Sequence, residues 1–129
     1  MINEKILNNF TEIISQFQAT SNNQIDLQKL KTTQENLINI RSGLQFELLN
    51  AQKQKNWEEI NKLELALIDC EDILDSVTAA ILDRDIIGIA PENLAEMQKI
   101  LKEIDAARKT QINIDFALSL LGFLRRLFL

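Results

Sequence analysis

The sequence predicts an all-α protein: an antiparallel up-down bundle of four helices, or of five if the last helix breaks near Thr110. Three observations predict it. Apolar residues recur at steps of three and four through nearly the whole chain, which is the helical period. One Pro and three Gly in 129 residues exclude a fold of many strands joined by tight turns, because those turns need residues that tolerate special backbone angles. Polar interruptions then cut the pattern into segments of bundle-helix length. At 46% hydrophobic and 26% charged, the chain has the composition of one ordinary globular domain spanning residues 1–129.

The first helix is expected over 1–17. Ile2, Ile6, Phe10, Ile13 and Phe17 trace one face at steps of four, four, three and four. Residues 19–23 (Ala-Thr-Ser-Asn-Asn) end it, since short polar side chains compete for backbone hydrogen bonds. Ser21 with Gln24 forms one candidate capping box for the next helix, and Asp26 is the alternative cap.

The second helix is expected from about Ile25 to Gln52, with Leu30, Thr33, Leu37, Ile40, Leu44, Leu48 and Ala51 inward. Gly43 interrupts it at a cost of about 1 kcal/mol relative to Ala, which predicts a close helix–helix approach there. No Gly or Pro forces a break before the third helix. Asn56 nevertheless reads as an N-cap, with Glu59 reaching back from the third helical position. A helix unbroken from 26 to 84 would run to nearly 90 Å, too long for a compact domain of this size.

The third helix has the most regular pattern. Ile60, Leu63, Leu67, Cys70, Leu74, Val77 and Ile81 form the seam of coiled-coil-like packing. Gly88 is expected to supply a left-handed cap or turn after it, and Pro91 to start the fourth helix. Ile86, Ile87 and Ile89 are expected to pack across the bundle end. The fourth helix carries Leu94, Met97, Leu101 and Ile104 inward.

The composition also excludes chemistry. There is no His, so no imidazole base or ligand exists, and one Cys permits neither an internal disulfide nor a multi-cysteine metal site. Cys70 lies among Asp69, Glu71 and Asp72, which disfavour a thiolate nucleophile. The three glycines are isolated and form no phosphate loop. Asp69, Asp72 and Asp75–Ser76 share a helix face, but bundle metal sites pair such carboxylates with His. We therefore expect no enzyme, metal or cofactor. A net charge of −5 argues against nucleic acid, whose phosphates need clustered Lys and Arg. The lone Cys70 and the absence of a signal-peptide pattern in 1–17 lead to a cytoplasmic expectation.

Two surfaces remain for partners. Between Trp57 and Asp85 nine acidic residues face only Lys62 and Arg84, whereas 26–55 carries a small positive excess. Glu64, Glu71, Asp72 and Asp75 are thus candidates for a docking face toward a basic partner, and Trp57 either covers the end of the core or anchors an interface. The second surface is the apolar run at 112–129. Phe116, Leu120, Phe123, Leu124, Leu127 and Phe128 give a helix apolar on nearly every side, which demands burial on nearly every side. It belongs in this domain's core, against a partner or second copy, or on a membrane surface with Arg125 and Arg126 among headgroups. The expected function is a non-catalytic protein–protein interaction or adaptor module that self-associates. The alternative is a membrane-docking protein acting through 112–129.

Overall fold

The computed structural model of the chain describes residues 2–20, 22–110 and 113–129. Five helices form an all-α bundle: α1 (Glu4–Gln18), α2 (Leu27–Gln54), α3 (Trp57–Asp83), α4 (Pro91–Ala107) and α5 (Ile114–Phe128). The last segment therefore divides, with α4 ending at Ala107 and Asn113 opening α5 by accepting a hydrogen bond from the Phe116 N–H.

Each start has a stated cause. Asn3, Asp26, Asn56 and Asn113 are extended or otherwise non-helical, and each side chain accepts from an N–H three residues on. Asp26, not the Ser21–Gln24 pair, caps α2; Gln24 lies outside the helix and Ser21 lies outside the described residues. The N–H of Lys29 holds the Asp26 carboxyl below its ordinary range, because that bond favours the charged form. Asn56 and Glu59 form the expected reciprocal pair, Asn56 accepting at 3.3 Å and donating to the Glu59 carboxylate at 3.1 Å. Pro91 opens α4, where a missing N–H costs nothing.

Two helix ends use left-handed residues that are not glycine. Lys55 terminates α2 at φ 55° and Arg84 terminates α3 at φ 54°. In both turns the next residue's N–H bonds a carbonyl five residues back, Asn56 to Ala51 and Asp85 to Ala80. The chain therefore reverses at 55 without a glycine because these bonds satisfy the terminal carbonyls. Gly88, expected to make the left-handed cap or turn after α3, is instead in a two-residue strand, and Arg84 makes that cap. Because a non-glycine residue in this conformation costs about 1 kcal/mol, Lys55→Gly is expected to stabilise the protein by up to about 1 kcal/mol, as read by chemical denaturation.

The short strands β1 (Gln24–Ile25) and β2 (Ile87–Gly88) pair antiparallel, Gln24 opposite Gly88 and Ile25 opposite Ile87. The Ile89 N–H adds a bond to the Asn23 carbonyl at 2.8 Å. This ladder ties the α1–α2 connection to the α3–α4 connection at one end of the bundle. Ile25 and Ile89 are buried there, Ile87 is half-buried, and Ile86, expected to pack inward, is exposed.

The helices alternate in direction. α1 packs on α2, α2 on α3, α3 on α5, and α4 on the far side of α1. The contacts between α5 and its neighbours close the ring: Arg126 bonds Glu96 of α4 at 2.7 Å, and Phe128 meets Phe17 of α1 edge-on at 5.9 Å. One continuous core results, with Phe10, Phe17, Leu37, Leu44, Leu63, Val77, Met97, Leu121 and Leu124 all fully enclosed. Leu67, Ile81 and Leu48 of the expected seams are only half-buried at its margin. Gly43 fulfils its expectation: a Cβ there would lie 2.6 Å from Cγ1 of Ile6, so its absence lets α1 seat on α2.

Candidate interaction surface

The apolar C-terminal run is core. Ile114, Ala117, Leu120, Leu121, Phe123 and Leu124 are buried by α3 and the rest of the bundle. Of the six residues expected to face a partner, Leu120, Phe123 and Leu124 are inaccessible, and Phe116, Leu127 and Phe128 are half-buried against the core. The physical reason is that α5 packs along α3 and reaches α1 through Phe128 and α4 through Arg126, so its apolar face finds protein within the chain. Its cationic end is also engaged, Arg125 with α3 and Arg126 with α4. No helix among the described residues is long and apolar enough to cross a membrane.

Trp57 is the opposite case. It stands 69% exposed at the start of α3, not as a lid over the core. Asn56 pins the helix start, and Trp57 falls on the outward side of α3, three residues before the buried Ile60. Trp57→Ala is accordingly expected to change stability by less than about 0.5 kcal/mol in a denaturation curve, as surface substitutions do.

The acidic helix resolves into paired and unpaired carboxylates. Arg125 donates to Asp72 at 2.9 Å and to Asp69 at 3.5 Å. Lys62 lies 3.1 Å from Asp115 and 3.4 Å from Glu58, and these two acids raise its pKa. The guanidinium of Arg125 thus occupies the place between Asp69 and Asp72 that a metal ion would need, and no group of three or more acidic or Cys ligands comes together among the described residues. Glu64, Glu71 and Asp75 are exposed, and among the described residues no hydrogen bond or ion pair engages them.

Cys70 takes no part in that surface. Its thiol is buried and donates to the Leu37 carbonyl at 3.5 Å. Burial is the main force pushing it up to about 12, only partly opposed by Arg41. A thiol so protected stays protonated and inert in the folded protein.

The α2–α3 hairpin carries the feature that sequence reasoning missed. Ile38, Leu49 and Ile68 are 40%, 57% and 56% exposed. On α3 the positions Trp57, Glu64, Ile68, Glu71, Asp75 and Leu82 follow at steps of seven, four, three, four and seven, which places all six on one stripe. On α2 Ile38, Arg41, Gln45 and Leu49 do the same at steps of three, four and four, Arg41 being half-buried. The two stripes border one groove. Gln34 bonds Thr78 across the helices at 3.0 Å, Ile38 is one turn beyond Gln34, and Asp75 and Leu82 are one turn either side of Thr78. Both stripes are exposed, so they lie on the outer side of the hairpin, opposite α1 and α5. The signal was present in the sequence as apolar residues off the seam, at a spacing that a wider buried face would share.

A concavity of about 820 Å³ lies between α1 and α2, lined by Asn3, Glu4, Lys5, Asn39, Gly43 and Phe46 among others. It is open, and its two charged residues are of opposite sign. No known protein family, no curated protein and no solved structure matches this chain.

Proposed function

We propose that the chain is a non-catalytic protein-interaction module whose docking surface is the outer face of the α2–α3 hairpin. The single observation that carries this reading is the exposed apolar line of Ile38, Leu49, Trp57 and Ile68 along one groove. Isolated exposed apolar residues are ordinary, but a set aligned on one side of a hairpin that includes a Trp marks an interface. A groove between two antiparallel helices is also the shape into which a further helix packs. The free, buried Cys70 agrees with a cytoplasmic location.

The grounds for self-association have narrowed. The apolar C-terminal run that first motivated it is occupied within the chain, which leaves the α3 face as the only one of the two expected surfaces open to a second copy. Docking to a membrane through 112–129 would require α5 to leave the bundle and uncover Phe123 and Leu124, so a protein partner is the favoured occupant.

The test is site-specific photocrosslinking in the cells that make the protein. A photoreactive residue at Ile68 is expected to yield a discrete crosslinked protein species identifiable by mass spectrometry. The same residue at Glu12, exposed on α1, is expected to yield none. Equal yields at both positions, or none at either, would sink the reading.

A further inference from the structure

Resting on that reading, we infer that the occupant of the α2–α3 groove is a cationic amphipathic helix. The charge of the groove selects it. Glu64, Glu71 and Asp75 line the α3 border over twelve residues, about 16 Å of helix, and none forms an ion pair among the described residues. The α2 border opposite them carries one cation, Arg41, which lies between Ile38 and Gln45 on that stripe, half-buried beside Cys70. Lys31 and Lys53 stand toward its two ends. The three carboxylates outnumber Arg41, which leaves an excess of negative charge along an apolar line.

A partner that covers Ile38, Leu49, Trp57 and Ile68 must also bring cations to those carboxylates. Docking without them would strip water from the acids and give nothing in return. A second copy of this chain is the wrong complement. It would bring the same three carboxylates on the same groove, within a chain of net charge −5, and like charges suppress such encounters. A helix with apolar residues at steps of three and four and Lys or Arg on its flanks meets both requirements. The field of the stripe would also accelerate its approach, more at low salt than at high salt.

The chain carries its own reporter. Trp57 is the only Trp, there is no Tyr, and Trp57 borders the groove, so its emission should shift to the blue when a partner covers it. The probe is an amphipathic Leu/Lys peptide of about 18 residues, long enough to form a helix against a surface, with its Leu/Glu counterpart as control. The expected result is a saturable blue shift with the Leu/Lys peptide, weakening as salt rises, and none with Leu/Glu. The triple variant Glu64→Gln, Glu71→Gln, Asp75→Asn is expected to weaken binding about tenfold or more. Ile68→Ser should weaken it as well. Glu12→Gln, Glu92→Gln, Asp105→Asn, which removes equal charge elsewhere, should leave it unchanged. Circular dichroism and melting curves verify that each variant is folded.

No shift with the Leu/Lys peptide, or equal binding by both triple variants, overturns the inference. A shift with Leu/Glu that Ile68→Ser abolishes overturns the cationic occupant yet leaves the groove a docking site. So does a dimer in light scattering that Ile68→Ser dissolves. A shift induced by zwitterionic phosphatidylcholine vesicles, together with no crosslink at Ile68, overturns both the inference and the reading beneath it.

Discussion

Phe123→Ala is expected to lower the unfolding free energy by about 3–5 kcal/mol, the range for deleting a fully buried aromatic side chain. Phe123 is 1% exposed and sits on α5 beside Leu120 and Leu124, the inward face of the helix that closes the ring. The loss combines the transfer free energy of the ring with the cavity it leaves, since the surrounding core can collapse only in part. For a domain of this size that change lowers the melting temperature by more than about 10 °C. Urea denaturation of the full chain measures it. A loss below about 1 kcal/mol would mean that α5 is a contact element rather than core, because only an exposed Phe is so cheaply removed.

The second large effect lies across the molecule. Gly43→Leu is expected to cost about 3 kcal/mol or more, at the upper end for overpacking. Even a Cβ at Gly43 would stand 2.6 Å and 2.9 Å from two side-chain carbons of Ile6, and Ile6 is itself buried, so it has no open space to retreat into. The helix-propensity gain on losing a mid-helix glycine is about 1 kcal/mol and cannot offset the clash. Relief is expected when room is made: in Ile6→Ala the added cost of Gly43→Leu should fall markedly. A double-mutant cycle reads that coupling directly. Additive costs would mean that the close approach of α1 and α2 is not what Gly43 provides.

These two sites show different kinds of legibility. Gly43 was readable because a mid-helix glycine has a known cost, so its presence implied a neighbour; the sequence could not name Ile6. Phe123 was readable as apolar but not as inward. An all-round apolar helix demands burial without saying whether the covering surface belongs to the same chain. Trp57 was open between a lid and an anchor for a related reason. Its place beside an N-cap does not say which side of α3 meets the core, and Ile60, three residues on, is the one buried. The β1–β2 ladder left no trace beyond Ile-rich residues at 86–89, because a two-residue bridge is set by the proximity of two connections rather than by local preference.

The candidate surface was half legible. Glu64, Glu71 and Asp75 were singled out from charge counting and remain unpaired and exposed. Asp72 was singled out with them, and Arg125 answers it from 53 positions away. Ile38, Leu49 and Ile68 escaped, because helical spacing alone cannot distinguish the margin of a wide buried face from a second, solvent-facing stripe.

Local rules in the sequence sufficed for the all-α class, the cap at Asn56, Asp26 as one of two candidate caps, the start at Pro91 and the seam through Cys70. Each depends on residues within a few positions of one another, where hydrogen-bond geometry and the 3.6-residue period leave little choice. Tertiary structure alone decided that α5 is core, that Arg125 disarms Asp69 and Asp72, and that an apolar and acidic groove faces outward from the hairpin. Those outcomes turn on which surfaces meet across long separations, and burial, unlike helicity, is a property of the neighbour as much as of the residue.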